Sequence, residues 1–125
     1  MQIDHINIKA PPALLAKVRQ FYHDVFGLEE GPRPQFSSRG HWLYSSAGPI
    51  VHLSESDGDT MAGARGHLDH VAFRTSGLVR FVARLKAQNV SFKQNYVPEL
   101  ELTQLFFSDP AGTGLEVGFR GEHTS

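Results

Sequence analysis

The chain has 125 residues, 40% hydrophobic and 20% charged, the composition of a soluble globular domain large enough to bury its own core. Twelve basic residues against thirteen acidic ones, net −1, give no electrostatic case for nucleic acid or an anionic membrane surface. The absence of cysteine excludes disulfides, thiolate zinc sites and thiol nucleophiles, and it turns any metal hypothesis toward the seven histidines and toward oxygen ligands. No apolar run approaches the ~18–20 residues needed to cross a bilayer. The N-terminus shows no signal-peptide pattern, so a cytoplasmic setting is expected.

In residues 2–9, Ile6 and Ile8 fall on one face and Ile3, His5 and Asn7 on the other, the period-two pattern of a half-buried strand. Pro11-Pro12 ends it and opens a helix, along which Leu14, Leu15, Val18, Phe21, Tyr22, Val25 and Phe26 recur at helical spacing. Gly27 is the expected stop. Residues 28–36, with Pro32 and Pro34, read as an edge strand or loop. His41 to Ser45 and Ile50 to Glu55 read as strands joined by a turn at Ala47-Gly48-Pro49. Ser56 to Gly66 is a glycine- and aspartate-bearing linker.

The order then repeats. A strand is expected from His67 to Arg74, and Thr75 or Ser76 could cap the helix whose buried face is Leu78, Phe81, Val82 and Leu85. Strands follow at Val90 to Val97, Leu102 to Ser108 and Leu115 to Phe119. Pro98-Glu99 makes the first break, Asp109-Pro110-Ala111-Gly112 the turn. Residues 120–125 read as a polar, frayed tail. Strand, helix and three strands, given twice, predict an α+β fold with helices on one face of the sheets.

The repeat also shows in the residues. Ile3-Asp4-His5-Ile6-Asn7-Ile8-Lys9 aligns without a gap to Leu68-Asp69-His70-Val71-Ala72-Phe73-Arg74, and the segment around His52 aligns with that around Glu116. Side chains alternate along a strand, so His5 opposes Ile6 and Ile8, His52 opposes Val51 and Leu53, His70 opposes Val71 and Phe73, and Glu116 opposes Leu115 and Val117. All four candidates are expected on the face that does not meet the helices, with Gly114 and Gly118 leaving open space beside Glu116. Asp4 and Asp69 face the other way and read as structural. Any one strand histidine is read more simply as hydrogen-bonded and structural, and any one strand glutamate as solvated. Four together at equivalent strands of a repeat read as a metal or catalytic cluster. His23, His41, His67 and His123 have no repeat partner and read as structural or solvated.

The motifs resemble the vicinal oxygen chelate superfamily, which includes glyoxalase I, methylmalonyl-CoA epimerase, fosfomycin-resistance thiol transferases, extradiol dioxygenases and bleomycin-binding proteins. The pieces are Ile3-Asp4-His5, the helix end Phe21-Tyr22 and Phe26-Gly27-Leu28, Leu68-Asp69-His70-Val71-Ala72-Phe73, and Phe107-Ser108-Asp109-Pro110-Ala111-Gly112 with Leu115-Glu116-Val117. They span nearly the whole chain. The resemblance implies two βαβββ modules in tandem, about 1–58 and 66–120, whose mixed, curled sheets enclose a metal-binding cavity. It places the family's ligand positions on His5, His70 and Glu116, with a fourth on His52, where glyoxalases of this kind carry Glu or Gln.

The expected cofactor is therefore a divalent ion held by His5, His52, His70 and Glu116, with Zn, Ni, Mn, Co and Fe(II) all compatible. A small substrate with two neighbouring oxygens would chelate the open positions, in glyoxalase-like lyase or isomerase chemistry. Glu116 is the first candidate for general base and His52 the second. Without His52, the remaining ligands are the set of an extradiol-type Fe(II) dioxygenase. A metal-free, bleomycin-resistance-like binding protein is the reading from another class. Trp42, Tyr44, Phe92, Tyr96, Phe106 and Phe107 could wall the cavity, and Arg33, Arg39, Lys93 and Arg74 could meet an anionic substrate. A homodimer is the expected assembly, and a site within one chain and one shared by two chains are both compatible with the sequence.

Overall fold

A computed structural model describes residues 2–56, 68 and 70–123. The chain divides into two compact units, Met1–Ala62 and Gly63–Ser125.

The first unit runs β1 (Ile6–Ala10), α1 (Pro12–Phe26), β2 (Glu29–Gly31), β3 (Gly40–Ser45) and β4 (Gly48–Glu55). Its sheet has the order β1-β4-β3-β2, with β1 parallel to β4 and the other pairs antiparallel. Helix α1 starts at the proline pair and stops where Gly27, at φ 72°, turns left-handed and donates its N–H to the His23 carbonyl. Its stripe of Leu15, Val18, Tyr22 and Val25 is buried, as are Ile8, Ala10, Leu43, Val51 and Leu53 on the sheet. That alternation turns Trp42 and His52 to the opposite sheet face. The strand expected over 2–9 begins only at Ile6, where pairing with Val51 starts. His5 lies just outside the ladder, its ring turned onto that of His52.

The second unit repeats the plan: β5 (Val71–Arg74), α2 (Leu78–Ala87), β6 (Lys93–Val97), a 3-10 turn (Pro98–Leu100), β7 (Leu102–Ser108) and β8 (Gly114–Arg120). The sheet order is β5-β8-β7-β6, with β5 parallel to β8. Two tandem βαβββ modules of mixed sheets in an α+β fold are thus present. Phe81 of α2 packs its ring against Phe107 and Phe119, and Leu78, Leu85, Leu105, Leu115 and Val117 fill the rest of this core. Asp109, 5% exposed, shapes the β7–β8 turn: its Oδ1 accepts from the N–H groups of Ala111 and Thr113, each at 2.9 Å.

Three expectations change here. Strand β6 begins at Lys93 because Val90 donates its N–H to the Leu85 carbonyl, closing the end of α2. Helix α2 is capped by neither Thr75 nor Ser76: Gly77 is the N-cap, at φ 89°. The donors at Gly77 N and Leu78 N go to the Glu122 carboxylate, at 3.0 and 2.8 Å. A negative charge at the positive end of the helix does what a capping hydroxyl would. The tail is therefore tied down through residue 123. Thr103 donates to the Glu122 carbonyl, Gly121 N–H to the Glu101 carbonyl, and His123 stacks on Tyr96 at 4.0 Å. Glu122→Ala is expected to destabilise the protein by about 1–2 kcal/mol in chemical unfolding, and an unchanged midpoint would contradict the cap. The linker expected over 56–66 falls, beyond Ser56, outside the described residues, as does His67; Leu68 and His70 of the strand expected from His67 are described and precede β5, which begins at Val71. No helix among the described residues is long and apolar enough to cross a membrane.

Candidate functional site

The first unit sets His5 and His52 side by side. His52 projects between the fully buried Val51 and Leu53. Its cross-strand neighbour in β3 is Trp42, and the two rings stack with centroids 4.1 Å apart at 14°. From the β1 side His5 stacks on His52 at 3.8 Å and 11°. His52 is thus the middle ring of a column of three. Its Nε2–H donates to the Pro49 carbonyl at 3.0 Å, and because a carbonyl only accepts, the ring's lone pair is at Nδ1. Burial first, and the neighbouring His5 second, hold the His52 pKa below 6.5, outweighing the Pro49 carbonyl, which pulls it up.

His5 donates from Nδ1 to Asp4 Oδ2 at 2.7 Å, which leaves Nε2 with the lone pair. Parity marked Asp4 as structural. Because residue 4 lies outside the strand, its carboxylate is free to orient the His5 ring, the arrangement that fixes the tautomer of a metal-binding imidazole. Asp69, its repeat partner, lies outside the described residues.

An imidazole holds a metal ion near its own ring plane at about 2 Å. Rings stacked at 3.8 Å and inclined by 11° have planes that do not meet within that distance. In these positions His5 and His52 do not share an ion. With its Nε2 on Pro49, His52 is placed as a stacking neighbour of His5.

The second unit pairs the other two candidates. Glu116 projects from β8 between the buried Leu115 and Val117, its side chain only 15% exposed. His70, just before the start of β5, brings Nε2 to 3.4 Å from Glu116 Oε1. Phe106, opposite Glu116 in β7, presents its ring edge-on to His70 at 6.5 Å. Gln104 Nε2 donates to Glu116 Oε2 at 3.2 Å, and Asn95 Nδ2 donates to Gln104 Oε1 at 2.9 Å. A carboxylate this withdrawn from water calls for a cation or several donors, and His70 and Glu116 are nitrogen and oxygen donors of the types that divalent ions take. Gly118 does not leave the expected open space: a Cβ there would sit 3.2 Å from Leu102 Cδ1, which occupies that face.

Each unit therefore brings two candidates together. Among the described residues no group of three or more His, Asp or Glu is arranged to hold an ion. Gln104 and Asn95 were missed in the sequence. Their only signal is parity, since Gln104 and Phe106 share a face of β7 and register sets Phe106 against Glu116 and Asn95 against Gln104. Of the histidines set aside, His41 Nδ1 bonds Glu30 at 2.5 Å, His23 donates to the Leu28 carbonyl, and His123 stacks on Tyr96. Phe107 belongs to the core beside Phe81, whereas Trp42 and Phe106 lie against the candidate histidines.

The lowered pKa of His52 gives a pH expectation. The folded state favours its neutral ring, so this contribution to stability is complete above pH 6.5 and is lost as pH falls below 6.5 through the lowered folded value. In metal-free protein, His52→Gln is expected to flatten the fall of Tm with pH in that window. Parallel curves for wild type and variant would contradict it.

Residues 2–117 match the family model described as the Glyoxalase/Bleomycin resistance protein/Dioxygenase superfamily. No curated protein matches at a significant level. Among solved structures, a protein assigned to the glyoxalase family from Bacillus anthracis is 24% identical, with TM-score 0.75 over 96% of this chain and 95% of that one. A glyoxylase/bleomycin resistance protein/dioxygenase domain from Frankia sp. EAN1pec is 19% identical, with TM-score 0.77 over 96% and 98%. A mutant of the fosfomycin resistance protein FosX from Listeria monocytogenes, complexed with Mn(II) and dihydroxypropylphosphonic acid, is 19% identical, with TM-score 0.74 over 95% and 92%. At these identities the likeness shows the shared fold.

Proposed function

The chain belongs to the Glyoxalase/Bleomycin resistance protein/Dioxygenase superfamily, and on that premise we propose that it is a divalent-metal-dependent enzyme acting on a small molecule with two neighbouring oxygens. The observation that carries this reading is the approach of His70 Nε2 to the withdrawn Glu116 carboxylate at 3.4 Å. His5, held by Asp4 with Nε2 left over, is the third ligand. Two imidazoles and a carboxylate suit Mn, Fe(II), Co, Ni or Zn and leave positions open for substrate oxygens. When bound, the ion supplies Lewis acidity toward an oxygen that gains charge during the reaction.

The protein's own part is to place donors and move a proton. Asp4 keeps the His5 proton on Nδ1. His52 keeps its own on Nε2 against Pro49, so Nδ1 can accept one from substrate. That makes His52 the preferred general base and keeps Glu116 as a ligand. Proton transfer next to a polarised oxygen is isomerase or lyase chemistry, and it is the first reading. The Mn(II) and diol phosphonate bound by FosX support a substrate of this class.

A second reading rests on the same ligands: two histidines and a carboxylate also serve Fe(II) ring cleavage. Three assays separate the possibilities: isomerisation of a hemithioacetal with Ni or Zn, opening of an epoxide phosphonate with Mn(II), and oxygen uptake with Fe(II) and a catechol. Activity in the third alone would replace the first reading by the second. Small-molecule binding that survives His5→Ala with Glu116→Ala, without turnover in any assay, would favour a metal-free binding protein. A homodimer is part of the proposal, and light scattering at twice the mass of one chain is the expected result.

A further inference from the structure

The polar row Asn95–Gln104–Glu116–His70 crosses all four strands of the second sheet, or their immediate flank, on the face away from α2. Its direction is set at one end. A carboxylate only accepts, so Gln104 must present Nε2, and not its oxygen, to Glu116 Oε2 at 3.2 Å. The Gln104 oxygen then faces β6, where Asn95 Nδ2 meets it at 2.9 Å. Turning either amide over would set oxygen against oxygen, so each holds the other's orientation. The second carboxylate oxygen, Oε1, is left facing His70.

We propose that Gln104, locked by Asn95, is a positioning residue that engages Oε2 of Glu116 and leaves Oε1 as the single oxygen presented to a divalent ion. This rests on the reading of Glu116 as a metal ligand. A glutamate free of Gln104 would turn about its last torsion and offer both oxygens, whereas the row fixes one-oxygen ligation beside His70. Partners of this kind behind a ligand change metal affinity by about 10–100-fold.

The test uses Mn(II) alone as the probe, titrated calorimetrically into the full chain. Gln104→Leu is expected to weaken Mn(II) by about 10–100-fold, and Asn95→Leu, at an exposed position, by less but in the same direction. In a Glu116→Ala background, Gln104→Leu should add nothing further. A second readout needs no metal: the carbon-13 shift of the Glu116 carboxylate should move in both single variants, because Gln104→Leu removes the amide that polarises it and Asn95→Leu loosens that amide. A shift that stays put in both variants overturns the positioning role. So does a Mn(II) affinity within about twofold of wild type in both. A wild-type chain that binds no Mn(II) while the carbon-13 shift still moves overturns the ligand reading of Glu116 and upholds the row. The two failures are therefore distinguishable.

Discussion

Replacing Glu116 by alanine is expected to weaken divalent-ion binding by on the order of 100-fold or more, since it removes the proposed carboxylate ligand where loss of a supporting residue alone costs about 10–100-fold. Turnover under any assay that shows it in the wild type should fall by on the order of 10³-fold, the scale of several kcal/mol of charge stabilisation. Stability without metal should barely change. Glu116 faces away from α2 and takes no part in the core of Leu115, Val117 and Phe119. Its withdrawal to 15% exposure with one amide donor makes it a costly residue in the absence of a cation, so its removal is not expected to destabilise the sheet. Calorimetric titration and a thermal melt of the same sample check both halves. Metal binding unchanged in the variant would remove Glu116 from the site.

Phe119→Ala should do the reverse. Three residues along the same strand but on its other face, Phe119 is fully buried and meets Phe81 of α2 at 5.6 Å, edge to face. Deleting its ring is expected to cost about 3–5 kcal/mol, a large share of an ordinary domain's stability. At temperatures where the variant remains folded it should bind the ion as the wild type does, since nothing in the Glu116–Gln104–His70 cluster touches this ring among the described contacts. Urea unfolding supplies the stability and titration at low temperature the affinity. Glu116 and Phe119 thus separate the site face of β8 from its core face by measurement.

The strand periodicity made that separation legible in advance. Leu115, Val117 and Phe119 alternate with Glu116 in the sequence, and these three are buried while the Glu116 side chain keeps some exposure. Helix α1 could be read from its stripe and its proline and glycine boundaries. The duplicated order of elements could be read from the two Asp-His motifs. What escaped depended on contacts between residues distant in the chain. Glu122 caps α2 from more than forty positions away, where local capping rules pointed to Thr75 or Ser76. Gln104 and Asn95 are ordinary polar strand residues until register sets Gln104 diagonally from Glu116, within hydrogen-bond reach, and Asn95 against Gln104.

Two losses of legibility came from strand ends. His5 and His70 both sit one residue before the first ladder pair of their strands. Their rings are therefore not bound to the alternation that placed the other candidates. His5 still lies on the face that alternation assigned it, stacked on His52, but Asp4 reaches His5 instead of facing the core. The role proposed for His52 also turns on contacts that the sequence does not show. The sequence puts an imidazole there, read as a fourth ligand, where glyoxalases carry a carboxylate or amide. A flat ring between Trp42 and His5, with its Nε2 spent on Pro49, is held by stacking in a way that neither alternative could be.

Metal analysis of untagged protein, wild type beside the His5→Ala, His70→Ala and Glu116→Ala variants, bears most directly on the central claim. After equilibration with Mn(II), Fe(II), Co(II), Ni(II) and Zn(II) and removal of free ion, wild type should retain about one equivalent of at least one of them, and each variant should lose it. His52→Ala should keep the ion and lose turnover. A folded wild-type chain that retains none of the five, or variants that retain it undiminished, would contradict the account.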